Sequence, residues 1–157
     1  MSDPLAAEID GFLRARRDEI TILGSREGVW DLMVPSYWKE SIAVTLELGE
    51  WNLRGEAFFM RAPEDNRAET YHLLLQRNRR SGLWKFAASE AGDVSLEAVL
   101  PRAGVNEEEL DRLLGHLVTL VDETYVPAMK LGYEKGLDEQ VRRGGPGLDQ
   151  PPPWARG

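Results

Sequence analysis

From Ser41 to Arg61 the chain alternates apolar and polar side chains along two consecutive runs, Ile42, Val44, Leu46 and Leu48, then Trp51, Leu53, Gly55, Ala57 and Phe59. Because successive side chains of a strand point to opposite faces, this spacing predicts a β-hairpin with one apolar and one wet face. Gly49 and Glu50 fit a two-residue type II′ loop, with glycine at the first central position where positive φ is needed. That loop sets Leu48 opposite Trp51, Leu46 opposite Leu53, Val44 opposite Gly55 and Ile42 opposite Ala57. Thr45, Glu47, Asn52, Arg54 and Glu56 then face water. A ribbon with one greasy face cannot stand alone, so the remaining segments must cover it.

Those segments read as follows. Leu5, Ile9, Phe12, Leu13, Arg16 and Ile20 follow helical spacing behind an Asp3 N-cap and Pro4 at the first helical site. Trp30, Leu32 and Val34 alternate up to Pro35, as in a short edge strand. Asn66 with Glu69 resembles a capping box that opens a second helix, with Tyr71, Leu74, Leu75 and Asn78 on one face and Gly82 at its end. Trp84, Phe86 and Ala88 pair with Val94, Leu96, Ala98 and Leu100 through the loop 89–92, a second hairpin. Asn106 and Glu109 start a third helix, whose stripe of Leu110, Leu113, Leu114, Leu117, Val118 and Val121 runs toward Gly132. Pro127 lacks an amide donor and clashes one turn back, so a kink or break is expected near Glu123. Trp51 and Trp84 are assigned to the core. The order α-β-β-β-α-β-β-α defines an α+β fold: a five-stranded antiparallel sheet with helices mainly on one face. Residues 1–140 form one domain, and the Gly- and Pro-rich stretch 141–157 is expected to be a mobile tail.

Composition then narrows the chemistry. With 157 residues, 42% hydrophobic and 29% charged, the chain suits one globular domain rather than two lobes. Nineteen basic against twenty-seven acidic side chains leave a net charge of −8, which disfavours binding to a phosphate backbone. No cysteine is present, excluding thiolate nucleophiles and thiolate metal sites. No apolar window approaches the ~20 residues needed to span a bilayer, so no membrane role and a cytoplasmic location are expected.

His72, His116 and the run Glu107, Glu108, Glu109 and Asp111 do not have metal-ligand spacing; the acidic run suits a helix first turn. None of Ser25, Ser36, Ser41, Ser81, Ser89 and Ser95 stands in a GxSxG context. The carboxylate pairs Glu64 with Asp65 and Asp93 with Glu97 fall on solvated positions. Arg77, Arg79 and Arg80 complement a helix C-terminus. No catalytic residue, metal or cofactor is therefore assigned. Phe58 and Met60 are more informative: the hairpin places them on the wet face, with Val99 nearby if the two hairpins pair. Such apolar residues suit a protein or peptide partner, burial under the N-terminal strand, or a subunit contact.

Residues 41–133 resemble the YbjN-like domain proteins of actinobacteria. The resemblance begins in VTLELGEWNLRGEAFFMRAPEDN, with its Gly-Glu turn and with Arg61, Pro63 and Asn66. It continues through YHLLLQRNRR, with Tyr71, Leu74, Leu75, Arg77 and Asn78, and FAASEAGDVSLEAVLP, with Phe86, Gly92, Asp93, Leu96 and Pro101. VNEEELDRLLG and DETYVPAMKLGY resemble the start and end of its last helix, while Ser81, Gly82, Ser95, Pro127 and the tail depart from its pattern. The resemblance implies a fold similar to the type III secretion chaperones, a non-enzymatic role sometimes described as sensory transduction regulation, and no catalytic residue. The expected function is a homodimeric, chaperone-like or regulatory protein-binding module. The alternative is a small-molecule-binding or weakly catalytic domain that gathers Arg61, Asn66, Arg77, Asn78 and Asp93 into a pocket.

Overall fold

A computed structural model describes residues 3–143. Helix α1 (Pro4–Ala15) leads into strands β1 (Thr21–Arg26), β2 (Val29–Ser36), β3 (Glu40–Leu48) and β4 (Asn52–Met60). Helix α2 (Arg67–Arg80), strands β5 (Lys85–Ala88) and β6 (Val94–Pro101), and helices α3 (Glu107–Gly132) and α4 (Glu134–Arg142) follow. One antiparallel sheet has the order β1-β2-β3-β4-β6-β5. The sheet has six strands rather than the expected five. The additional strand is β1, whose alternation is broken where the register shifts between Ile22 and Gly24. Helix α1 ends at Ala15, so Ile20 is not helical, and the strand of Trp30, Leu32 and Val34 lies inside the sheet, not at its edge. Pro35 is tolerated there because β1 pairs no further than Met33.

The central hairpin keeps its faces and changes its register. Leu48 pairs with Leu53, Leu46 with Gly55 and Val44 with Ala57, each two residues along from the expected partner. The loop is longer than two residues, and the Gly49 N–H donates to the Asn52 carbonyl at 2.8 Å. A two-residue slip preserves side-chain parity, so Leu53, Ala57 and Phe59 still enter the core. Only Trp51 is displaced, to the hairpin tip, where it is 74% exposed instead of in the core. Trp84 is fully buried; its indole N–H donates to the Leu113 carbonyl at 2.8 Å. Its ring occupies the space above Gly55, where a Cβ would come within 2.7 Å of it.

The apolar stripe of α3 runs against the sheet without interruption. The helix passes through Pro127 as one 26-residue element, so the expected break is absent. Its C-terminus is closed by the β4–α2 loop: the Glu64 and Asp65 N–H groups both donate to the Gly132 carbonyl at 2.9 Å. Asn66 contributes its side-chain amide to the Leu131 carbonyl at 3.0 Å. Asn66 therefore caps the end of α3 and not, as its spacing with Glu69 suggested, the start of α2, and it does so from a left-handed backbone with φ 46°. The Asp3 cap of α1 and the Asn106 cap of α3 are as expected. Residues 141 and 142, assigned to the tail, belong to α4, while 144–157 lie outside the described residues.

Candidate functional site

The outward face of the sheet carries Thr45 and Glu47 of β3, Arg54, Glu56 and Phe58 of β4, and Glu97 and Val99 of β6. Phe58 is 42% and Val99 45% exposed. Phe58 pairs with Ser95 and Val99 with Arg54, so they stand four positions apart, roughly 13 Å at the rise of a strand. They are separate apolar points on a charged face. Met60 is not among them. The register shifts between Phe58 and Met60, and this bulge turns both Phe59 and Met60 inward, leaving Met60 3% exposed and packed toward Gly132.

Of the five polar residues of the alternative reading, Arg61 and Asp93 line one cleft, while Asn66, Arg77 and Asn78 lie apart from it. Asp93 accepts from the Ala62 N–H at 2.9 Å, and Asn66 is committed to α3. Arg77 lines a different depression, with His116 and Glu123. Asn78 has the most telling geometry. Its side-chain oxygen accepts from the Phe86 N–H at 2.7 Å, and its side-chain NH2 donates to the Phe86 carbonyl at 3.0 Å. The carboxamide thus takes the place of a neighbouring strand along the free edge of β5. Beside it, α2 and β5 enclose an apolar groove lined by Leu74, Leu75, Phe86 and Val94, with Leu75 63% exposed.

A larger cleft, of about 590 Å³, opens at the end of the sheet. The β2–β3 turn supplies Lys39, β4 supplies Phe58 and Met60, and α3 supplies Tyr125 and Met129. Asp122 fixes the turn: it accepts from the Ser36 hydroxyl at 2.7 Å and the Tyr37 N–H at 3.0 Å. Glu40 completes that turn at φ 73°, a left-handed conformation uncommon for a side-chain-bearing residue. The Lys39 ammonium lies 5.6 Å from the centre of the Phe58 ring. Burial pushes the Lys39 pKa down and the Tyr125 pKa up. At the other end, the Tyr133 hydroxyl donates toward the Arg61 and Ala62 carbonyls. Burial raises its pKa, reinforced by Glu64 and opposed by Arg61. Sequence reasoning missed Lys39, Tyr125, Met129 and Tyr133 as a group. The last three recur every fourth residue, the spacing of one helix face.

The chain is an α+β domain, one antiparallel sheet with helices packed against its apolar face. It matches the HopA1–SchA chaperone–effector complex with a TM-score of 0.55 and 14% identity, over 73% of this chain and 88% of that one. The ExsC–ExsE complex matches with 0.51 and 23%, over 78% and 92%. YbjN from E. coli matches with 0.51 and 15%, over 78% and 93%. The chain belongs to the YbjN family, described as "Putative bacterial sensory transduction regulator", through residues 5–129. Uncharacterised proteins of Mycobacterium bovis and Mycobacterium tuberculosis are 32% identical to it over 107 residues, 68% of this chain. The match spans 58% of those relatives' length. Among the described residues, no helix is long and apolar enough to cross a membrane.

Proposed function

We propose that this domain is a non-catalytic protein-binding module, a chaperone-like or regulatory adaptor that works as a homodimer and holds a segment of another polypeptide. The observation that carries the reading is its fold, which matches one solved in a chaperone–effector complex. Exposed apolar points agree with it: Phe58 and Val99 on the outer face of the sheet, and Leu75 beside β5. Main-chain pairing at β5 would first have to displace Asn78 from Phe86, so a segment lying in that groove binds through side chains. The net charge of −8 keeps such surfaces apart while the partner is absent. The alternative reading, a small-molecule or weakly catalytic site built from Arg61, Asn66, Arg77, Asn78 and Asp93, lacks the convergence it requires.

Affinity capture from native lysate, with the captured polypeptide then purified and rebound to purified domain, tests the reading. The expected result is stoichiometric rebinding that Phe58→Glu or Leu75→Glu weakens about tenfold or more without shifting the unfolding transition. Failure to rebind any polypeptide, or wild-type binding by both variants, contradicts it.

A further inference from the structure

We propose that the cleft at the end of the sheet is a binding site for a small monocarboxylic acid with an apolar or aromatic body. The site does not depend on the protein-binding reading. Its volume of about 590 Å³ falls among those of small-molecule sites. Its two ends differ in charge. At one end Lys39 makes no ion pair among the described residues; its flank is the Phe58 ring, and burial alone depresses its affinity for the proton. Asp122, which anchors the turn from α3, is engaged by Ser36, Tyr37 and Trp38, and Glu40, next in the chain, is exposed and forms no ion pair with Lys39 among the described residues. At the other end Arg61, Glu64 and Asp93 surround Tyr133, one positive group against two negative ones, which does not favour a further anion there. A ligand carboxylate is thus favoured at Lys39 alone, as a charge-assisted hydrogen bond in a partly dry site. Met60, Met129 and Phe59 offer the ligand body a polarizable, adaptable lining. The fixed turn, held by Asp122 and completed by Glu40 at positive φ, holds Lys39 against one end of that space.

The test is a two-by-two comparison with the purified domain, read by chemical shifts of the methionine methyl groups. The probes are 3-phenylpropionate and its neutral amide, and the proteins are wild type and Lys39→Met. The wild type should bind the acid at least about tenfold more tightly than the amide, and Lys39→Met should abolish that preference while still binding both weakly. Equal binding of acid and amide by the wild type overturns the proposal. So does no shift with acid concentrations up to about 10 mM, or a preference that survives in Lys39→Met. A peptide ending in phenylalanine is the third probe; if it binds and the free acid does not, the site belongs to a polypeptide terminus and the proposal fails.

Discussion

Asn78 joins a helix to a strand edge with one carboxamide, satisfying both the N–H and the carbonyl of Phe86. Asn78→Ala leaves two backbone groups of β5 without their partner and should cost about 1 to 3 kcal/mol in urea unfolding. It should also uncover the edge, which sedimentation velocity would register as concentration-dependent self-association. Gly55 is specified just as narrowly, since a methyl group there meets Trp84. Gly55→Ala should cost about 1 to 3 kcal/mol, and in a Trp84→Leu background most of that penalty should disappear. Lys39 works in the opposite sense. Burial disfavours its charged form in the folded state, so the unfolded chain holds the proton more tightly and this residue weakens folding below its depressed pKa. Lys39→Met should therefore raise Tm near pH 7, and the gain should shrink as pH rises toward 10.5, the lysine's ordinary value. These three roles were invisible in the sequence because each depends on a partner distant along the chain or across a turn. Met60 shows the same limit: alternation placed it outside, and a bulge that no local residue announces turned it in.

Elements were more legible than their junctions. The alternation of 42–48 and 53–59 is long enough to assign strands and faces whatever the loop does, which is why a register two residues away moved only Trp51 out of the core. Strand β1 escaped because Leu23 sits in a bulge and Gly24 follows, so no run of alternating residues survives. Helix α3 continued through Pro127 because tertiary packing of its stripe outweighs one missing bond. Caps at element starts were legible where the side chain bonds its own helix, as with Asp3 and Asn106, and illegible where it serves another, as with Asn66. Asp3 also receives both its oxygens' contacts from Arg102, at 2.8 and 2.7 Å, and Arg102 donates to the Gly49 carbonyl at 3.0 Å. This clamp fixes the start of α1 to the central hairpin. The Arg102 hydrogen bonds hold the Asp3 carboxyl below its ordinary value of 3.8. A depressed carboxylate stabilises fully above that value and loses its contribution as pH falls through the lower, folded one. Asp3→Asn should thus be less stable than the wild type at pH 7, and the difference should narrow in chemical denaturation series taken below about pH 4.

At the scale of the molecule, the sheet divides the work. Its inner face and three helices make the core, while its outer face, the β5 groove and the end cleft remain available. The class of fold was readable from the order of helices and hairpins, and the family from motifs spread over residues 41–133. The accessible surfaces were not, because each is assembled from elements far apart in sequence. Sedimentation equilibrium tests the homodimer directly: a mass twice that of the 17.7 kDa chain is expected at micromolar concentration. The central claim, that the domain acts by holding a polypeptide, is tested most directly by hydrogen exchange on the purified domain with and without its rebound partner. Slowed exchange in the second half of α2, in β5 and along β4 and β6, with β1 unchanged, is the predicted result. Unaltered exchange across all of those segments would contradict the account.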